Sequence, residues 1–303
     1  MVWLGVDMGG SASRWALADA TGRVVARGKA PGASALMQDA AAKARFVDAL
    51  AALRAALPQA PAGACLGLTG AGRNPGAALA KVCARALGIE ASRLRVINDI
   101  TLAWHTAFGV QAQEGHLLLA GTGSVAMGRG PAGMAIIGGR GALIDDAGSA
   151  VWIALTALRG LYRRIDRHGR PQGCHRLAEA LFTAIGAHDW DAVSAHVHAA
   201  PRGQLGALAL AVAQAARDGD KVAKAVLKQA EAELARMARR LVARCGPAPL
   251  ALAGGMLALE PSLKPGLTRR LADLTPRFPG LDPAGTGALI ALNDDQRHTG
   301  APA

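Results

Sequence analysis

Twice along the chain, an apolar run ends in a tight glycine turn and a second apolar run follows at once. The first instance is VWLGVDMGGSASRWALAD (2–19), and the second is GHLLLAGTGSVAMGRG (115–130). So short a turn joins two neighbouring strands of one sheet. The recurrence predicts a chain of two halves on one plan, each opening with a strand, a glycine turn and a second strand.

The rest of the chain alternates strand and helix patterns, which predicts an α/β fold. Helices are predicted over 38–57, 75–87, 101–108, 147–167, 221–244 and 285–293. Further strands are predicted over 21–30, 64–72, 94–100, 134–139 and 248–257. We expect an N-terminal domain over 1–112 and a C-terminal domain with a helical insertion over 113–284. The C-terminal helix, about 285–297, is expected to return to the first domain.

Composition narrows the class of protein. Apolar residues make up 51% of the chain, which is typical of a globular protein. The formal net charge is +12, which would suit nucleic-acid binding. The arginines are scattered and aromatic residues are only 3%, so we predict no nucleic-acid partner and an anionic small ligand instead. No apolar run is long enough to span a membrane, and Asp7 interrupts the first run too early for a signal peptide, so we expect a cytoplasmic protein.

The glycine turns carry the functional signal. A turn without Cβ atoms exposes consecutive backbone N–H groups, which form a nest for an anion such as phosphate. The nearby hydroxyls that add donors belong to Ser11, Ser13, Thr122 and Ser124. The second turn alone would more often be an ordinary hairpin, but two matching turns favour phosphate. Neither turn fits the P-loop or the dinucleotide fingerprint.

Two strand-end carboxylates accompany the turns. Asp7 would be repelled by bound phosphates unless a cation lay between, which predicts Mg²⁺ held through water. A plain turn or cap carboxylate is the alternative for Asp7. Asp99 fits a helix N-cap and is also suited to accept a hydroxyl proton in phosphoryl transfer.

Five segments in this order resemble the BadF/BadG/BcrA/BcrD ATPase family of actin-like proteins, and within it the N-acetylglucosamine and glucosamine kinases. They are LGVDMGGSASRWALAD (4–19), INDITLAW (97–104), LLLAGTGSVA (117–126), GGRGALIDDAGSAVWIA (138–154) and LALAGGML (250–257). The resemblance implies two actin-like (ribonuclease H-like) ATPase domains with a cleft between them. It implies an ATP- and Mg²⁺-dependent kinase acting on the 6-hydroxyl of an amino sugar, and a homodimer.

The resemblance also implies roles for individual residues. Asp99 would be the catalytic base, and Asp7 would organise Mg²⁺. The residues implied to hold phosphate are Gly9, Gly10, Ser11, Gly121, Thr122, Gly123 and Ser124. Gly254 and Gly255 would let adenosine lie against the backbone. The residues implied to contact the sugar are Thr69, Asn98, Asp99, Ser124, Gly139 and Asp146.

The sequence departs from the family pattern in the segments expected to contact the sugar. The usual GDEGS becomes DDAGS, with Asp145 for Gly and Ala147 for Glu, and the expected sugar loop (29–39) offers only Ser34 and Gln38. Two alternatives therefore stay open. One is a regulator that binds nucleotide or sugar without catalysis. The other is an ATPase activator of a radical dehydratase.

The activator function needs cysteines that bridge an iron–sulfur cluster between subunits. The four cysteines here fall mainly inside predicted strands or helices, which predicts no iron–sulfur cluster. Cys174 and His175 form an isolated pair without further ligands, so we predict no structural zinc.

Overall fold

The computed structural model describes residues 1–10, 12–72, 74–259 and 263–299. The elements up to residue 108 are β1 (Trp3–Met8), β2 (Ala12–Ala18), β3 (Val24–Pro31), α1 (Ala40–Ala55), β4 (Gly63–Leu68), α2 (Ala77–Leu87), β5 (Leu94–Asn98) and α3 (Asp99–Phe108). The elements that follow are β6 (Gly115–Ala120), β7 (Ser124–Gly130), β8 (Gly133–Gly138), α4 (Ala150–His168), α5 (His175–Ile185), α6 (Trp190–Ala199), α7 (Arg202–Arg217), α8 (Lys221–Cys245), β9 (Leu250–Ala253), α9 (Met256–Leu259), α10 (Leu263–Arg270) and α11 (Pro283–Thr299).

The chain divides into two compact units. Unit 1 comprises Met1–Ala112 and the chain from Leu281 onward, and unit 2 comprises Gln113–Gly280. The strand order is β3-β2-β1-β4-β5 in unit 1 and β8-β7-β6-β9 in unit 2. Each sheet thus begins as an antiparallel three-strand meander, and its first strand also pairs with a later parallel strand. The predicted strand–turn–strand plan is confirmed in both units.

In unit 1 the central strand β1 is covered on both faces. Leu4, Val6 and Met8 are fully buried, as expected where helices pack on both sides of parallel strands. Helix α11 lies against β1, β2 and β4. It crosses β1 at Gly5, where an added Cβ would lie 1.9 Å from the Ala284 carbonyl oxygen. Only glycine fits at this point of β1.

Three ion pairs also join α11 and the residue before it to the sheet side of unit 1. Arg27 donates two hydrogen bonds to the carboxylate of Asp282, at 2.8 and 2.7 Å. The other two pairs are Arg93–Asp295 at 3.0 Å and Arg95–Asp294 at 3.3 Å. Pairs this exposed contribute roughly 0–1 kcal/mol each, so apolar burial on β1 is the larger source of stability.

Unit 2 is built around the long helix α8. Its buried positions recur at helical spacing and include Val226, Ala230, Leu234 and Leu241, so one face of the helix packs in the core. Helix α8 packs on β6, β7 and β8, while α4 packs on α7. Leu and Ala dominate this core, in keeping with the low aromatic content.

Candidate functional site

In unit 1 the register brings three predicted residues to one edge of the sheet. Met8 pairs with Leu68 and Leu68 with Asn98, and these are the last paired residues of β1, β4 and β5. The next residue of each strand is Gly9, Thr69 and Asp99. Because the three strands are parallel, these residues follow one another along the same carboxyl edge, where open α/β sheets commonly bind ligands.

Asp99 is fixed in orientation. The Thr69 hydroxyl donates to its Oδ2 at 2.5 Å, and the Ile100 N–H donates to its Oδ1 at 2.8 Å. The Thr69 N–H in turn donates to the Met8 carbonyl at 3.0 Å, so the carboxylate is tied to the end of β1. Asp99 stays half-exposed. It therefore combines a fixed carboxylate with access to a ligand.

The predicted N-cap role of Asp99 is wrong by one residue. Asn98 caps α3: its Oδ1 accepts the Ile100 N–H at 3.0 Å, and Asp99 is the first helical residue. The Asn98 side-chain amide also donates to the Gly72 carbonyl at 3.1 Å. Both polar ends of Asn98 therefore hold the turn that supports Asp99.

Asp7 lies in β1 opposite Arg14 of β2, and Arg14 Nη1 is 3.9 Å from Asp7 Oδ2. Burial raises the pKa of Asp7, the nearby Asp99 charge raises it further, and Arg14 lowers it. Two carboxylates thus lie close enough to repel each other at the carboxyl edge. A cation would relieve that repulsion, so the residues present fit Mg²⁺ held through water.

The first glycine turn is closed by a backbone hydrogen bond and leaves open space beside Gly10. The Gly9 N–H donates to the Ala12 carbonyl at 3.0 Å. A Cβ built on Gly10 would meet nothing within 4 Å, and its φ is not in the left-handed region. Ser11 lies outside the described residues. The prediction for Ser13 is wrong, because its hydroxyl is buried and donates to the Pro31 carbonyl at 2.8 Å.

The second glycine turn lies at the N-terminus of a helix. The Ala150 N–H donates to the Gly121 carbonyl at 3.0 Å, and the Val151 N–H donates to the Thr122 carbonyl at 3.3 Å. Ser149 caps α4 by accepting the Trp152 N–H at 3.2 Å. The positive end of the α4 dipole is therefore directed at this turn, which favours negative charge there.

Donors remain at the second turn. The N–H groups of Thr122 and Gly123 have no acceptor within the described part of the chain. Ser124 differs from the prediction, because its buried hydroxyl donates to the Ala147 carbonyl at 2.8 Å. Ser124 thus holds the 138–154 segment to the turn, and the backbone is left to contact a ligand.

The other predicted glycines lie beside the second turn. Leu119 pairs with Ala253, so the turn after β9 follows the same edge as the turn after β6. Gly254 has φ +114°, and an added Cβ would lie 2.2 Å from the Ala120 carbonyl oxygen, so glycine is required there by packing alone. A Cβ on Gly255 would meet nothing within 4 Å. Gly139 has φ +67° and packs against Val125.

Asp146 lies under the second turn and is only 4% exposed. It pairs with Arg202, the first residue of α7. Burial raises the pKa of Asp146, while Arg202 and the backbone N–H groups of Gly141 and Ser124 oppose that shift. Sequence reasoning missed Arg202, because nothing local relates two residues this far apart in the chain.

Direct metal ligation and thiol chemistry are the other kinds of site that these residue types could form. Over residues 1–10, 12–72, 74–259 and 263–299, no three or more His, Cys, Asp or Glu side chains cluster so as to hold a metal directly. All four cysteines are buried, and burial raises the pKa of Cys65 and of Cys83 to about 12. Among the described helices, none has both the length and the apolar character needed to cross a membrane.

Known proteins resemble this chain in sequence. The family model described as "BadF/BadG/BcrA/BcrD ATPase family" matches residues 4–276. A curated N-acetylmuramic acid/N-acetylglucosamine kinase from Clostridium acetobutylicum is 29% identical over 172 residues, which are 56% of this chain and 55% of that protein. The chain therefore matches about half the length of this curated relative.

Two solved structures resemble nearly the whole chain. A proposed N-acetylglucosamine kinase from Chromobacterium violaceum is 28% identical with a TM-score of 0.76, covering 96% of this chain and 98% of that one. A proposed N-acetylglucosamine kinase from Porphyromonas gingivalis is 17% identical with a TM-score of 0.72, covering 97% and 99%, and this second likeness concerns the fold alone. The predicted fold class of two actin-like domains is confirmed.

Proposed function

We propose that this chain, which belongs to the BadF/BadG/BcrA/BcrD ATPase family, is an ATP-dependent amino-sugar kinase. It transfers the γ-phosphate of ATP to the 6-hydroxyl of N-acetylglucosamine or glucosamine. The names of the C. acetobutylicum relative and of the C. violaceum structure support an amino sugar as the substrate class.

The observation that carries the proposal is the place of Asp99 beside the first glycine turn. Phosphoryl transfer needs positioned phosphates, charge neutralisation and an acceptor for the hydroxyl proton. Asp99 takes that proton as the sugar oxygen bonds to the γ-phosphorus. The bond from phosphorus to the β,γ-bridging oxygen breaks, and ADP leaves with the bonding electrons. The hydrogen bonds from Thr69 and Ile100 hold the carboxylate in one orientation for this step.

The remaining residues bind the nucleotide. The Gly9 and Gly121 N–H groups are bonded within their own turns, so the first turn offers the Gly10 N–H to phosphate and the second offers the N–H groups of Thr122 and Gly123. The turn at Gly254–Gly255 borders adenosine. Asp7 would hold Mg²⁺ through water, and the cation would supply neutralisation of the phosphate charge.

Sugar selection is assigned to the loop after β3. The Ala35 N–H donates to the Thr69 carbonyl at 2.8 Å. A Cβ on Gly70 would lie 2.4 Å from the Ser34 hydroxyl oxygen. The loop therefore packs directly against the residue that holds Asp99, which supports a place for it next to the reacting hydroxyl.

The alternative function as a radical-dehydratase activator is disfavoured by the burial of every cysteine. A cluster shared between subunits needs exposed thiolates, and burial disfavours the thiolate form of Cys65 and Cys83.

The test is a panel of sugars with Mg-ATP. ADP release is measured with glucosamine, N-acetylglucosamine, N-acetylmuramic acid and glucose, and the product is analysed for phosphate at the 6-position. We expect ADP release stimulated by an amino sugar and one phosphate transferred per ADP. Nucleotide binding without ADP release on any sugar would contradict the kinase proposal and favour a regulator without catalysis.

A further inference from the structure

We infer that Arg202 binds the phosphate chain of the nucleotide at the second glycine turn, and that Asp146 is the residue that positions Arg202. The inference rests on the proposed function, because it takes the ligand of this turn to be a nucleoside triphosphate. It also gives Asp146 a role different from the sugar contact that the sequence predicted.

Helix α7 brings Arg202 to the turn. A Cβ on Gly206 would lie 3.5 Å from Thr122 Cγ2 and 3.6 Å from the Ala150 Cβ, so α7 packs closely on the turn at this point. Arg202 precedes Gly206 by four residues, so both lie on the same face of α7. The guanidinium reaches the turn, since a Cβ on Gly123 would lie 3.1 Å from Arg202 Nη2.

Asp146 is turned toward the protein. Its carboxylate accepts from Arg202 Nη2, and the nearby N–H groups of Gly141 and Ser124 favour its charged form. A Cβ on Gly123 would lie 2.9 Å from its Oδ2. The carboxylate is therefore buried beneath the turn with protein donors around it, an arrangement suited to orienting Arg202.

Arg202 keeps donors for a ligand. A guanidinium has five N–H groups on three nitrogens, and the bond to Asp146 uses one of these nitrogens. The Arg202 side chain is 56% exposed. Its partner Asp146 is buried, so the pair also neutralises a carboxylate that would be costly without a partner. The exposed side of the guanidinium lies next to the N–H groups of Thr122 and Gly123, and together they form a set of donors that recognises phosphate oxygens.

The first test measures binding by calorimetry with two probes, AMPPNP and adenosine. We expect Arg202→Ala to weaken AMPPNP binding roughly 10–100-fold, as loss of a charge-assisted hydrogen bond does, and to change adenosine binding less than about threefold. The control is Arg217→Ala at the other end of α7, where Arg217 donates to Gln214. It should leave both probes unchanged. Equal weakening of both probes, or no weakening, in folded Arg202→Ala would overturn the inference.

The second test separates Asp146 as a positioning residue from Asp146 as a sugar ligand. We expect Asp146→Asn to leave the KM for the amino sugar within about twofold, because no sugar contact is lost. Its effect on AMPPNP binding should disappear in the Arg202→Ala background, since Asp146 acts through Arg202. A sugar KM raised tenfold or more, with AMPPNP binding intact, would assign Asp146 to the sugar instead.

The two proposals fail in different ways. Absent sugar phosphorylation with Arg202-dependent AMPPNP binding would overturn the kinase proposal alone. Normal phosphorylation with Arg202-independent binding would overturn this inference alone. Absence of AMPPNP binding to the unaltered protein would overturn both.

Discussion

The two glycine turns share a backbone frame and differ in the charges beside it. Each joins antiparallel strands, and in each the first strand also pairs with a later parallel strand. Two residues before the glycine, however, β1 carries Asp7 opposite Arg14, whereas β6 carries Leu119 opposite Val125. Beside the second turn lies Arg202 instead, paired with Asp146.

The comparison separates two contributions to a site. The repeated frame fixes where backbone N–H groups are presented, and it carries no net charge. Neighbouring elements then decide the chemistry: β5 and α3 bring a second carboxylate to the first turn, while α4 and α7 bring a helix dipole and an arginine to the second. The first turn is thus suited to a cation and a proton acceptor, and the second to an anion.

The largest effect should come from removing the carboxylate of Asp99, beside the first turn. We expect Asp99→Ala to lower kcat for the amino sugar by roughly 10²–10⁴, because the proton acceptor is lost, while ATP still binds. Asp48→Ala, an exposed acid of α1, is the matched control and should be neutral. Turnover within tenfold of the unaltered protein would remove Asp99 as the base and, with it, the assignment of acid chemistry to the first turn.

Adding a methyl group to a glycine of each turn tests whether both turns bind phosphate. Gly10→Ala and Gly121→Ala add a Cβ that meets nothing within 4 Å in the protein, so the melting temperature should not fall. If phosphate approaches both turns, each change should raise the KM for ATP about tenfold, as loss of a hydrogen bond to a charged group would. Gly280→Ala, equally uncrowded but outside both turns, is the control. A response from one turn only would show that the frames are not functionally equivalent.

A smaller effect should follow from removing the hydrogen bond that orients the Asp99 carboxylate. Thr69→Val keeps the shape of the side chain but removes the donor to Asp99 Oδ2. We expect kcat to fall roughly three- to tenfold, as about 1 kcal/mol of positioning would give, with the KM for ATP unchanged. Thr69→Ser should restore kcat. An unchanged kcat in Thr69→Val would mean that Asp99 needs no support from β4.

The smallest effect concerns stability. Because burial and Asp99 raise the pKa of Asp7, ionised Asp7 costs the fold stability at neutral pH. Asp7→Asn should therefore raise the melting temperature of the ligand-free protein at pH 7 by roughly 2–4 °C, while lowering Mg-ATP affinity. The gain should fade as the pH falls through the pKa of Asp7, where the carboxyl is neutral in any case. A lower melting temperature at pH 7 would mean that the Arg14 pair outweighs burial.

Much of the fold was predictable because local signals agree. The apolar runs of β1 and β6 end at glycines, and α2 and α8 end at Gly88 and Gly246, residues that commonly stop helices. The placement of Asp99 at a junction of strand and helix was predictable to within two residues, since the predicted strand ends at residue 100 and the predicted helix begins at 101, whereas β5 ends at Asn98 and α3 begins at Asp99.

The side-chain directions were less predictable. Ser13 pairs with Met8, and Ser124 pairs with Ala120, both of which are buried. Cross-strand partners share a face, so both hydroxyls point inward. Correct register would have excluded them as phosphate donors. Arg202 left no such signal, because its meeting with Asp146 depends on how α7 packs on the second turn.

The return of α11 to β1 has a consequence for how this protein is made. Unit 1 takes its sheet from the start of the chain and the helix that closes over Gly5 from its far end. During synthesis the segment Gln113–Gly280 can fold as soon as it emerges, as domains commonly do. The N-terminal sheet must wait for Pro283–Thr299, with the face of β1 that this helix covers still bare. We expect nascent chains stopped before residue 283 to be the species that chaperones hold.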